Sequence, residues 1–138
     1  MIRGIGIDVV EVKRIENTMR NPRFTKRILT EREISSFLNK SIPPIKQAEL
    51  SGNDSKSPPS FTGAELKPSF VAGRWAAKEA IAKAINKKLR WHDVEILADE
   101  TGQPVVHLTD KAASIGGAIK ISISHERGIA AAIAIWEE

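Results

Sequence analysis

The sequence predicts an α+β fold, with a largely antiparallel sheet packed around one long helix. Three stretches carry that expectation: a strand-like run at the start, "IRGIGIDVVE", a helical run, "PSFVAGRWAAKEAIAKAINK", and two hairpin-like pairs that close the chain. At 138 residues, the chain is expected to form a single domain, residues 1–138, around one hydrophobic core.

In the first run, side chains alternate between two faces. Ile5, Ile7 and Val9 share one face, which can enter a core, and Gly4, Gly6, Asp8 and Val10 share the other. The glycines let a ligand or another backbone come close beside Asp8. A buried carboxylate is costly unless paired or bound to a metal, so Asp8 requires a partner elsewhere in the chain.

"EVKRIENTM" has helical spacing through Val12, Ile15 and Met19, and Asn21-Pro22 interrupts it. Thr30 and Glu33 form a capping-box signature that should start another helix. The segment at about 41–68 is rich in Ser, Pro and Gly and is expected to be a flexible insertion within the domain. From Pro68 to about Lys87 runs the longest helix, with Phe70, Ala77, Ile81 and Ala84 as one apolar stripe. Its opposite face is mostly small and apolar too, which predicts packing on more than one side and makes Glu79 a second candidate for a buried carboxylate. "VEILAD" and "PVVHLT" flank "ETGQ" as a hairpin, "DKAASIG" suits a short helix, and "AIKISISH" and "GIAAAIAIW" form a second hairpin around "ERG".

Composition narrows the class. Hydrophobic content of 41% and charged content of 28% suit a soluble globular protein, and no run of 18 apolar residues offers a membrane span. No secretory leader is expected ahead of the first strand, and an intracellular location follows as an expectation: cytoplasm, or mitochondrion in a eukaryote. With no cysteine, disulfides, thiolate metal sites and thiol nucleophiles are excluded. Residues 11–40 hold eight Lys or Arg against four acids, an excess equal to the +4 of the whole chain. Such a patch suits an anionic partner, although an ordinary solvated surface explains it equally well.

Each chemical signal has a plain structural reading. Glu79 and Lys83 stand i,i+4 apart and suit a surface salt bridge, Arg74 and Lys78 suit a solvated helix edge, and His125 suits a turn cap. In combination they say more. Two carboxylates from separate elements, Asp8 and Glu79, without thiolates or clustered histidines, suit a hard cation such as Mg²⁺. Arg74, Lys78, Lys83 and His125 supply groups for phosphate oxygens. The residues themselves thus point to a metal-dependent reaction at a phosphate or pyrophosphate.

"GIGIDVVEVKRIE", "FVAGRWAAKEAIAKAI" and "ISISHERGIAAA" resemble the three motifs of the small holo-[acyl-carrier-protein] synthases, a class of 4′-phosphopantetheinyl transferases. The resemblance extends over nearly the whole chain except residues 41–68. It implies the fold of that class and transfer of 4′-phosphopantetheine from coenzyme A to a serine of an apo acyl carrier protein, releasing adenosine 3′,5′-bisphosphate. By motif position, Asp8 and Glu79 would bind Mg²⁺ and act in catalysis with Lys83. Arg74, Lys78, Lys83, Ser124 and His125 would contact coenzyme A. Arg14, Arg20 and Arg27 would dock the acidic carrier. Relatives of this kind form homotrimers with active sites between subunits. That suits a helix on which Arg74 and Glu79 cannot converge within one monomer. "NKKLRWHD" stands where many relatives have a Gly-rich turn. The competing readings are a Mg²⁺-dependent phosphotransferase or hydrolase acting on another nucleotide, and a basic nucleic-acid-binding module. Few aromatics and no Tyr weigh against the latter.

Overall fold

The computed structural model describes residues 1–41 and 66–138. In chain order these form β1 (Ile2–Glu11), α1 (Val12–Thr18), α2 (Pro22–Ile28), α3 (Glu31–Ser41), α4 (Pro68–Ile85), a one-turn 3-10 helix (Trp91–Asp93), β2 (Val94–Ala98), β3 (Pro104–Leu108), α5 (Asp110–Ala113), β4 (Ala118–Glu126) and β5 (Ile129–Glu137). The expected flexible insertion lies mostly outside the described residues. At its far end Leu66 is buried in the core and Pro68 opens α4.

Two antiparallel sheets organise the chain. β1, β5 and β4 form one, in that order, and β2 and β3 form a separate hairpin. Both expected hairpins are present, and their turns have visible causes. Gly128 takes a φ of 71° between β4 and β5. Between β2 and β3 the Asp99 carboxylate accepts from the Thr101 N–H at 2.8 Å, the Thr101 hydroxyl at 2.7 Å and the Gln103 N–H at 3.0 Å.

The capping box also forms: the Thr30 N–H donates to Glu33 Oε1 at 2.9 Å, and the Glu33 N–H to Thr30 Oγ1 at 3.2 Å. At Asn21-Pro22 the chain does more than break α1. Asn21 accepts from the Arg23 N–H at 3.0 Å and Pro22 takes the first helical position, so the same dipeptide starts α2.

Helix α4 is the centre of the molecule. Val71, Ala72, Ala76, Ala77, Ala80 and Ile81 are fully buried. The inner face of the sheet meets it with Val10, Ala130, Ala132 and Ala134, while Ile15, Ile28, Leu29, Ile34, Val94 and Ile96 complete the core. Each large aliphatic side chain so enclosed contributes about 1.5–3 kcal/mol relative to exposure. Asn86, with φ 55° and ψ 40°, ends the helix in the left-handed conformation, and its N–H reaches the Lys83 carbonyl at 3.2 Å. Asparagine is among the few residues that tolerate this geometry, so no glycine is needed there.

The two faces of β1 are the reverse of the expectation. Ile5, Ile7 and Val9 are 60%, 61% and 59% exposed, and the glycine face turns inward. The helix backbone comes so close that a Cβ on Gly4 would strike the Ala84 carbonyl oxygen, and one on Gly6 that of Ala80. Small residues on both elements let sheet and helix approach backbone to backbone. Branched side chains could not fit between them.

Candidate active site

Asp8 lies on this close-packed face, opposite Ala132 of β5. Its carboxylate is held by Lys83: the ammonium donates to Asp8 Oδ1 at 2.8 Å and to the Ile7 carbonyl at 3.0 Å. The Asp8 side chain is 16% exposed and that of Lys83 is 54%. Lys83 is therefore the partner Asp8 requires, and its ammonium remains open to solvent. Glu79 precedes Lys83 by one helical turn, on the same side of α4. It is half-buried and lines a small hollow with Lys78, Ala82, Leu89, Arg90, Trp91 and Val94.

Among the described residues, no group of three or more His, Cys, Asp or Glu forms a metal cage. The two carboxylates offer hard oxygen donors only. Mg²⁺ is bound in this way, through one or two carboxylates, with water and substrate phosphates filling the remaining positions. The donor set fits that ion.

A second hollow of about 340 Å³ opens where α4 meets β4 and the β2–β3 turn, lined by Arg74, Gln103, Pro104, Ser122 and His125 among others. The His125 ring donates from Nε2 to the Ser69 carbonyl at 2.9 Å. Gly73 makes that approach possible, since a Cβ there would stand 2.6 Å from Nε2. The Arg74 guanidinium lies 4.8 Å from the centre of the Phe70 ring, and its Nε is buried without a hydrogen-bond partner among the described residues. Burial pulls the Arg74 pKa down from its usual range, with the Glu33 carboxylate opposing. Arginine nevertheless stays charged at neutral pH. A cation with an unused donor beside an imidazole suits an anionic group. Arg74 and Glu79 open onto different hollows, as their spacing along the helix requires.

Two expected coenzyme A contacts are placed differently: Lys78 borders the Glu79 hollow but commits its ammonium elsewhere, and Ser124 does not line the Arg74–His125 hollow. Lys78 is only 3% exposed. Its ammonium donates to Glu33 Oε1 at 2.6 Å, the Ile28 carbonyl at 2.8 Å and the Trp91 carbonyl at 3.0 Å. All three donors are used, and none remains for a phosphate. Burial lowers the Lys78 pKa, and Glu33 raises it in opposition. Ser124 pairs with Ala131 on the outer face of the sheet, whereas His125 pairs with Ala130 on the inner face, and Ser124 is not among the residues that line the His125 hollow.

The sequence marks Glu33 only as a helix cap. Besides capping α3, it accepts from the Ile96 N–H at 3.2 Å through Oε2, so a single carboxylate ties α3, α4 and β2 together. Glu95 beside it takes the Thr30 hydroxyl at 2.6 Å and Arg32 at 3.0 Å. No local signal pairs Glu33 with a lysine 45 residues away. The third group of expected residues, Arg14, Arg20 and Arg27, is exposed on α1, the turn after it and α2 respectively, and none of the three forms an ion pair among the described residues.

Residues 4–134 match the model of the 4′-phosphopantetheinyl transferase superfamily. The holo-[acyl-carrier-protein] synthase of Exiguobacterium sp. is 41% identical over 142 residues, spanning 100% of this chain and 94% of that protein. Among solved structures, the holo-(acyl-carrier-protein) synthase of Bacillus anthracis, crystallised in complex with CoA (3′,5′-ADP), has a TM-score of 0.71 at 30% identity, covering 100% of this chain and 98% of that one. The Helicobacter pylori enzyme in complex with coenzyme A has a TM-score of 0.70 at 26% identity, covering 96% and 99%. Among the described residues, no helix is long and apolar enough to cross a membrane.

Proposed function

The chain belongs to the holo-[acyl-carrier-protein] synthases of the 4′-phosphopantetheinyl transferase superfamily, and from that premise we propose that it transfers the 4′-phosphopantetheine arm of coenzyme A to a serine of an apo acyl carrier protein. The serine oxygen bonds to the β-phosphorus, the bridging P–O bond breaks, and adenosine 3′,5′-bisphosphate leaves. The observation that carries the reading is the Asp8–Lys83 contact at 2.8 Å, one helical turn from Glu79, on a surface apart from the Arg74–His125 hollow.

Asp8 and Glu79 would hold Mg²⁺ between the strand and the helix. When bound, the ion supplies charge neutralisation at the pyrophosphate and at the departing phosphate. Lys83 has a flexible stem and an exposed ammonium, so it can leave Asp8 for a phosphate oxygen as a mobile point charge. Arg74 offers a charged donor to the 3′-phosphate end of the nucleotide, and His125, fixed through Nε2, lines the same hollow.

The outer face of β1 and β5 supports a homotrimer. Ile5, Ile7, Val9, Ile129 and Ile133 are 40–61% exposed there, an apolar surface of the kind that associates with another subunit. Assembly would let Arg74 of one subunit and Glu79 of the next serve one site. Coenzyme A and an apo carrier as substrates give the reaction an intracellular setting.

The test is incubation of the chain with coenzyme A, Mg²⁺ and an apo carrier, followed by intact mass of the carrier. The expected result is a gain of one phosphopantetheine, abolished by Asp8→Ala or Glu79→Ala in variants that retain the parent's circular dichroism. Unchanged carrier mass across several carriers would refute the reading.

A further inference from the structure

One concave surface among the described residues takes no part in the chemistry above. It is a cleft of about 520 Å³ formed by the end of α2, the 3-10 helix and the start of α5. That volume is within the range of specific binding sites. Arg27 comes from one wall and Lys111 from another, and neither has an ion-pair partner among the described residues. The half-buried Trp91 and Thr109 line the same cleft. The cleft's own acid is neutralised: Asp93 is held by Arg90 at 2.8 Å. That contact keeps the Asp93 carboxyl below the usual range. His92 donates from Nε2 to the Lys26 carbonyl at 2.9 Å, tying the 3-10 helix to α2 and fixing the spacing of the walls. The result is a cleft bordered by two cations without ion-pair partners and by one tryptophan, with its Asp93 carboxylate already held by Arg90.

We propose that this cleft is a docking point for an acidic side chain of the carrier protein, a reading that rests on the proposed function and extends its docking face beyond α1 and α2 to Lys111. Charge is the first reason, because two unpaired cations on separate elements complement an acidic protein. Continuity is the second. Arg27 belongs both to the cleft and to the basic stretch that carries Arg14 and Arg20. Position is the third. Arg90 and Trp91 line this cleft and also the hollow that holds Glu79, so a partner anchored here lies one wall away from the reacting carboxylate. The nucleotide is the poorer occupant, since it has its own hollow at Arg74 and His125.

Lys111→Glu and Arg27→Ala in the full-length enzyme test this, with transfer kinetics against apo carrier at two salt concentrations. Direct titration of apo carrier without coenzyme A and titration of coenzyme A alone accompany them. Lys111→Glu is expected to raise the carrier KM about 3- to 10-fold with kcat and coenzyme A affinity unchanged, and the difference should shrink as salt rises. An unchanged carrier KM and carrier affinity would overturn the proposal. So would a fall in coenzyme A affinity with carrier binding intact, which would make the cleft a small-anion subsite. If the parent enzyme modified no carrier, the proposed function would fail by itself, while the carrier titration would still decide the cleft.

Discussion

Replacing Gly6 with alanine adds one methyl group where β1 crosses α4, and the structure shows where that group must go. It would land on the Ala80 carbonyl oxygen and stand 2.7 Å from the Ala84 nitrogen. Both are main-chain atoms inside a hydrogen-bonded helix, so no side chain can rotate to make room. Gly6 does not have a positive φ, and the backbone conformation itself accepts alanine. The penalty is therefore steric. Overpacking of this kind costs about 1–3 kcal/mol, and a main-chain obstacle places it at the upper end. Alanine also restricts the unfolded chain, which offsets about 0.4–1 kcal/mol.

A net loss of about 2–3 kcal/mol should lower Tm by roughly 8–12 °C in a chain of this length. Thermal unfolding by circular dichroism measures it. Asp8 lies two residues on along the same face, so separating strand from helix also moves Asp8 away from Lys83. Transfer activity at a temperature where the variant is folded should consequently fall below the parent's. A Tm within about 2 °C of the parent, with full activity, would show that the glycine face does not meet the helix backbone, and the account of β1 would be wrong.

Other consequences follow from the same packing. Lys78→Met leaves the Glu33 carboxylate buried without its ion-pair partner and should cost about 3–5 kcal/mol in urea unfolding, a loss reduced when Glu33→Gln is added; a cost below 1 kcal/mol would mean that the ammonium is not inside. Arg90 holds the Asp93 pKa down, so this pair stabilises the fold above the ordinary aspartate range and loses that effect as pH falls through the lowered value. Arg90→Ala should accordingly lower Tm at neutral pH and match the parent in strong acid, and a gap that widened on acidification would contradict this. Ile7→Glu places a charge on the exposed apolar face and should shift the mass measured by light scattering from the proposed trimer to monomer; a parent that is itself monomeric, or a variant that stays trimeric, would contradict this interface.

The sequence revealed most where a structural signal is local. The Thr30–Glu33 box, the spacing of α4 and the two hairpin turns each operate within a few residues, and each element appears as expected. The orientation of β1 illustrates the limit. Alternation defines its two faces, but it cannot decide which one enters the core. Hydropathy favours the isoleucines, whereas close approach of two backbones favours the glycines, and the second effect wins because α4 presents alanines. The start of α2 was readable, since Asn before Pro both breaks one helix and caps the next. Ser124 could also have been placed. It adjoins His125 in a strand, so the alternation already applied to Asp8 puts the two on opposite faces. Lys78 could not. Its three acceptors come from α2, α3 and the 3-10 helix, and only the folded chain gathers them.

That gathering explains how one helix can serve two surfaces. Lys78 and Glu79 are neighbours in sequence, about 100° apart around α4. Both border one hollow, but the first commits its ammonium to three elements inside the protein. A helix buried on several sides has few ways to be held by shape alone when its contacts are alanines, because small side chains interlock weakly with their neighbours. A buried ion pair with directional hydrogen bonds resists rotation where alanine packing does not. Seen this way, the Lys78–Glu33 pair fixes the rotation of α4, and that rotation sets where Arg74, Glu79 and Lys83 stand on its surface. The same constraint accounts for the distribution of charge along the helix. The lysine that would look most available for phosphate, placed between Arg74 and Glu79, is the one committed to structure, and the cation left free to move is Lys83, at the end where strand and helix meet.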